Sequence, residues 1–214
     1  IMSDKMKLTI FSPGGLLENV TSVMGYENLC INLYDDENLV ANIFDDIGLR
    51  LFRYYENCVK NELVGAIVVN DDWGFNTQTM ISPEYIKRYV FPWHKKIVNL
   101  AHENNKPAIL HSCGNLSDII DDIIFDLKYD GKHSYEDNII PVEDAYRKWG
   151  EKIAILGGID LNFLCLNSEN EVRQRSEKLL EATQSKGYAL GSGNSIPEYI
   201  PEENYHAMRN CVFK

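Results

Sequence analysis

Short apolar runs bounded by turn residues alternate along the chain with longer segments whose apolar positions return every three or four residues. The runs are KLTIF (7–11), AIVVN (66–70), PAILH (107–111), YDGKHS (129–134), IAILGG (153–158) and YALGS (188–192). Their length and their Gly, Pro, Asn and Asp borders predict strands. Leu39, Ile43, Ile47 and Leu51 recur at i+4 steps and predict an amphipathic helix from Asp36 to about Lys60. Ser82 and Pro83 supply an N-cap and a first helical residue, and the helix they open must stop before Pro107. Ser168 and Glu171 have capping-box spacing and open a helix expected to run to Gly187.

Strands that alternate with helices, and that are apolar almost throughout, predict a parallel sheet covered on both faces. The fold class is therefore α/β, and two architectures fit: a doubly wound open sheet or a (β/α)8 TIM barrel. Six predicted strands are two short of a closed barrel. No G-x-G-x-x-G follows a strand, which removes the main support for a dinucleotide-binding open sheet. FSPGG (11–15) lacks the P-loop lysine and spacing, so its glycines are turn residues.

Composition narrows the partners. The 214 residues are 44% hydrophobic and 25% charged, with a net charge of −11, and no basic run is denser than HKK (94–96). Nucleic acid and anionic membrane both need clustered Lys and Arg and are not expected partners. No apolar stretch approaches the ~20 residues of a bilayer-spanning helix, and no n-region/h-region pair is found in the opening residues given. The five cysteines are odd in number and scattered, as reduced thiols in a cytoplasm would be. Ile precedes the first Met, so position 1 need not be a natural start.

Polar residues gather after the strands: Asp71 and Asp72, His111 and Cys113, His133 and Glu136, Asp160, and Asn194. In parallel α/β folds the loops at that strand edge converge on the site. His111 and Cys113 sit at i and i+2, so on a strand both side chains face one way while Ser112 faces the other. Imidazole and thiolate are preferred zinc ligands. The spacing alone, a three-residue signal, favours a buried histidine beside an inert core cysteine. A catalytic zinc would need a third ligand, from Glu136, His133, Asp160 or one of Asp71 and Asp72. Adjacent strand residues point oppositely, so at most one of Asp71 and Asp72 should enter a site. His94, His102 and His206 fall in helical stretches and read as packing or surface residues. Cys30, Cys58, Cys165 and Cys211 read as small hydrophobes.

Five segments, taken together, resemble the uroporphyrinogen decarboxylase superfamily: DDWGFNTQTMISPEYIKRYVFPWHKKIV (71–98), AILHSCGN (108–115), KHSYED (132–137), ILGGIDLNFL (155–164) and YALGSGNSIPEYIPEENYHAM (188–208). The superfamily includes decarboxylases and corrinoid-linked methyltransferases. The resemblance implies one (β/α)8 barrel domain over 1–214 that holds about six of the eight strands. The first two strands, and the N-terminal segment that carries them in family members, are expected to be missing by truncation. The His-x-Cys pattern resembles the methyltransferase branch, in which a histidine, a cysteine and a further cysteine near the last strand bind zinc that activates the acceptor thiol. His111 and Cys113 match, but 188–200 holds no cysteine. A carboxylate such as Glu136 is expected to complete the metal set, with Asp71, Asp72, Asp160 and Asn194 on the substrate side.

The expected function is transfer of a methyl group between a corrinoid, or a methylated substrate, and a thiol or pterin acceptor. The expected cofactor is zinc, and the corrinoid would serve as substrate or arrive on a partner protein. The other expected partners are a small-molecule substrate and, as a family-level hint, a second copy of the chain. Two rival expectations are a uroporphyrinogen-type decarboxylase and an inactive or binding-only barrel fragment whose open sheet edge needs covering.

Overall fold

The computed structural model describes residues 6–184 and 186–213; the opening IMSDK lies outside the described residues. The chain divides into two compact units, Ile1–Asp130 and Gly131–Lys214.

In the first unit the order is β1 (Leu8–Phe11), α1 (Leu16–Met24), α2 (Tyr26–Asp35), α3 (Glu37–Val59), β2 (Val64–Asn70), α4 (Pro83–Tyr85), α5 (Phe91–Glu103) and β3 (Ala108–His111). One π-helical turn, Ile86–Val90, joins α4 to α5, and another, Asp122–Asp126, follows β3. β2 pairs in parallel with both β1 and β3. Val64, Ile67, Val68 and Val69 of β2 are buried on successive positions of both faces, as a central strand under helices requires. The expected helix start holds: Ser82 Oγ accepts the Tyr85 amide with Pro83 in the first turn, and helix continues until before Pro107.

The apolar stripe of α3 differs from expectation by about one residue. Its buried face is Val40, Phe44, Gly48, Leu51, Tyr55 and Val59, whereas Leu39 is 43% exposed. The larger rings decide this face. Phe44 stacks on Tyr89 at 5.3 Å, and Trp93 lies so close over Gly48 that an added Cβ would sit 2.4 Å from its ring. Ile43 and Ile47 are left on the flank, half-buried.

The second unit runs β4 (Gly131–His133), α6 (Val142–Trp149), β5 (Ala154–Leu156), α7 (Leu161–Leu166), α8 (Glu169–Thr183), β6 (Tyr188–Ala189) and α9 (Glu202–Asn210), closed by a 3-10 turn, Cys211–Phe213. β5 pairs in parallel with β4 and β6. The capping box at Ser168 and Glu171 is formed. α8 stops at Thr183, before the expected Gly187, because Gln184 takes a left-handed conformation with φ 48°. Each unit thus follows the strand–helix succession of a (β/α)8 barrel over three parallel strands. No helix among the described residues is long and apolar enough to cross a membrane.

Candidate metal centre

β2 and β3 end together, with Asn70 opposite His111, and the Asp71 amide donates to the His111 carbonyl at 2.9 Å. The residues just beyond both strands therefore emerge side by side. Asp72 Oδ1 accepts the Cys113 amide at 2.8 Å, and Cys113 Sγ lies 3.8 Å from His111 Nε2. One ligand atom from each of Asp72, His111 and Cys113 falls within 4.8 Å of the others, and all three residues are half-buried. Ser112, between the pair, turns inward to full burial and accepts the Trp73 amide at 3.1 Å.

Two glycines permit this meeting. Gly114 has φ +82°, and a Cβ there would lie 2.1 Å from the Gly74 carbonyl oxygen. A Cβ on Gly74 would in turn lie 2.7 Å from the Asn115 nitrogen. The loops after β2 and β3 touch backbone to backbone, and only glycine allows that approach.

Asp71 faces the other way. It is 0% exposed, and its carboxylate accepts the amides of Leu17 (3.0 Å) and Glu18 (3.1 Å) in the first turn of α1. That is the favourable end of the helix dipole for an anion. The same carboxylate meets His94 Nε2 at 3.1 Å, and His94 Nδ1 meets the Tyr129 hydroxyl at 2.7 Å. Burial pushes the Tyr129 hydroxyl well above its ordinary pKa, so it keeps its proton. The chain is satisfied with the proton on Nε2: the phenol then donates to Nδ1 and Nε2–H donates to Asp71. Asp71, expected on the substrate side, instead fastens α1 to the strand end. His94 is a packing residue as expected, tied into this chain and 1% exposed.

Glu18 has no counterpart among the residues singled out from sequence. Its Oε2 accepts the Gly15 amide at 2.6 Å and the Asn70 amide group at 3.3 Å. Burial raises its pKa, the Gly15 amide opposes the rise, and the Asp71 and Asp72 carboxylates add to it. The signal available in sequence was a glycine followed three residues later by glutamate, a capping-box spacing on a glycine N-cap.

The donor set fits a metal. Tetrahedral zinc with a nitrogen at about 2.05 Å and a sulfur at about 2.3 Å holds the two about 3.5 Å apart, close to the 3.8 Å found between His111 and Cys113. Three protein ligands of mixed N, S and O type leave one open position, the pattern of catalytic zinc. The hydrogen bond from the Cys113 amide orients the Asp72 carboxylate before any ion arrives.

The remaining expected residues lie in the second unit. His133 Nε2 meets the Ser192 carbonyl at 3.1 Å, and Glu136 is half-buried in the loop after β4. Asp160 caps α7: Oδ1 accepts the amides of Asn162 and Phe163, and Oδ2 accepts that of Asp137. Asn194 Oδ1 accepts the Ser195 amide. Half-buried His206 meets Glu202, and in the first unit exposed His102 meets Asp130.

A profile of the family Uroporphyrinogen decarboxylase (URO-D) matches residues 8–214. A methylated-thiol–coenzyme M methyltransferase of Methanosarcina mazei is 30% identical over 138 residues, covering 63% of this chain and 35% of the relative. A uroporphyrinogen decarboxylase of Prochlorococcus marinus is 28% identical over 151 residues, covering 65% and 39%. The chain thus spans little more than a third of the length of these curated relatives. Among solved structures, a methyltransferase from Methanosarcina mazei superposes with a TM-score of 0.78 over 98% of this chain and 59% of its own, at 17% identity. The order of strands and helices and the family match over nearly the whole sequence lead to one assignment: the chain belongs to the uroporphyrinogen decarboxylase family.

Proposed function

We propose that the chain carries a methyl-transfer centre in which Asp72, His111 and Cys113 hold a zinc ion and leave one position for the methyl acceptor. The observation that carries this reading is the meeting of those three side chains within 4.8 Å at the ends of β2 and β3. Asp72 takes the place that the sequence pattern gave to Glu136. Similarity to the methylated-thiol–coenzyme M methyltransferase supports methyl transfer over other family chemistry. When bound, zinc supplies Lewis acidity that favours the deprotonated, nucleophilic form of an acceptor at neutral pH.

The chain's own residues do the rest. His111 presents Nε2 and Cys113 its sulfur from one strand end, and the Gly74–Gly114 contact keeps the two loops together around them. In the transfer, the acceptor forms a bond to the methyl carbon as the bond to the donor breaks, and the donor keeps the electron pair. A corrinoid or a methylated small molecule fits that donor role. Asp72 contributes oxygen where the family pattern has a second sulfur, a weaker electron donor, which widens the acceptor class from thiols to pterins.

The test is an assay with methylcobalamin as donor and either mercaptoethanesulfonate or a tetrahydropterin as acceptor, with and without zinc. Zinc-dependent demethylation of the cobalamin is expected. The specific rival is decarboxylation, favoured by the similarity to the Prochlorococcus marinus enzyme. Decarboxylation of uroporphyrinogen in the presence of a chelator, with no methyl transfer, would select that rival.

A further inference from the structure

In the second unit, α6 and α8 are linked at two places. At one end Arg175 of α8 donates from Nε and Nη2 to the two Glu143 oxygens, at 2.9 and 3.0 Å. Its Nη1 and Nη2 also reach Asp137, at 2.6 and 2.8 Å. At the other end the Tyr146 hydroxyl lies 2.8 Å from the Lys186 carbonyl and 3.2 Å from that of Thr183. Between these links the helices frame a cavity of about 610 Å³. That volume lies in the range of sites for small organic ligands, about 300–1,000 Å³.

The lining has two characters. Tyr146, Leu179 and Thr183 form a floor whose leucine and threonine are buried. Arg147, Lys148, Lys152 and Lys178 stand on the exposed rim. Glu143 is matched by Arg175 and Arg147 by Asp144, so Lys148, Lys152 and Lys178 give the rim its basic character, with Glu151 as the other lining acid. This reverses the sign of a chain whose net charge is −11. A solvated basic helix face would need neither the concavity nor the paired links that hold it open.

We propose that this cavity binds an organic phosphate, with an apolar or aromatic body against Tyr146 and Leu179 and its phosphate among the rim lysines. Flexible ammonium groups suit phosphate as point charges. The linked helices present the floor already formed, so little ordering is needed on binding. This site goes beyond the proposed methyl transfer and does not depend on it.

Isothermal titration of the intact chain with adenosine diphosphate, and separately with inorganic pyrophosphate, tests the assignment. The nucleotide is expected to bind more tightly than pyrophosphate, because only it has a body for the floor. The double variant Lys152→Glu/Lys178→Glu changes exposed side chains only and should weaken nucleotide binding about tenfold or more. Lys60→Glu makes the same kind of charge change just past the end of α3 and should leave binding unchanged. Any of three results would overturn the proposal: no nucleotide binding at millimolar concentration, equal binding of pyrophosphate, or unaltered affinity in the double variant.

Discussion

Asp72 accepts the backbone amide of Cys113 at 2.8 Å, so a carboxylate from one strand end is oriented by the cysteine at the next. Its neighbour Asp71 points the opposite way, into the core. Two adjacent aspartates thus divide between the candidate metal centre and the core, and each role can be measured.

Asp72→Ala should abolish zinc binding while costing about 1 kcal/mol of stability, the loss of one half-buried hydrogen bond. Asp71→Ala should do the reverse in rank. It strands two amides of α1 and the buried His94 donor, a loss of about 3–5 kcal/mol by analogy with broken buried pairs. Denaturant unfolding and metal titration of the two variants would separate the roles. Equal stability losses would contradict the division.

Gly114→Ala is expected to destabilise by about 2–4 kcal/mol, since the residue has a positive φ and its Cβ would meet the Gly74 carbonyl. The loops must part to relieve the clash, so zinc affinity should fall with stability. Ser117→Ala, an exposed change a few residues on, is the control and should leave zinc affinity unchanged.

Burial alone would raise the pKa of Glu143, but the Arg175 guanidinium outweighs it and holds the carboxyl below its ordinary 4.5. A carboxyl depressed in the folded state contributes stability above its unfolded pKa and loses it as pH falls through its folded pKa. Glu143→Gln should therefore lower stability at neutral pH and flatten the decline below about pH 4.5. Unfolding curves from pH 7 to pH 3 would reveal both effects, and an unchanged acid limb would count against them.

The strands were legible because most are apolar runs closed by turn residues: five of the six fall inside the predicted segments, and β2 begins two residues earlier, at Val64. The i, i+2 geometry of His111 and Cys113 was legible for the same reason. The face of α3 was misjudged by about one residue. Periodicity weighs apolar residues alike, whereas Phe44, Tyr55 and the Gly48 seat for Trp93 depend on partners distant in sequence. The choice of Asp72 over Asp71 was open, because alternation says only that the two diverge. What decides it is the register of β2 with β3 and the N-terminus of α1. The Gly74–Gly114 contact was hidden for a related reason: a glycine that permits a turn and one that admits another backbone look alike in sequence. Gln184 ended α8 early through a left-handed conformation that its residue type does not announce.

The most direct measurement is the metal content of the purified chain, by elemental analysis, for the wild type and for Cys113→Ser. The account predicts close to one zinc per chain in the wild type and little or none in the variant, with the far-ultraviolet circular dichroism unchanged. A wild-type chain that stays metal-free in the presence of zinc, or a variant that keeps its zinc, would contradict it.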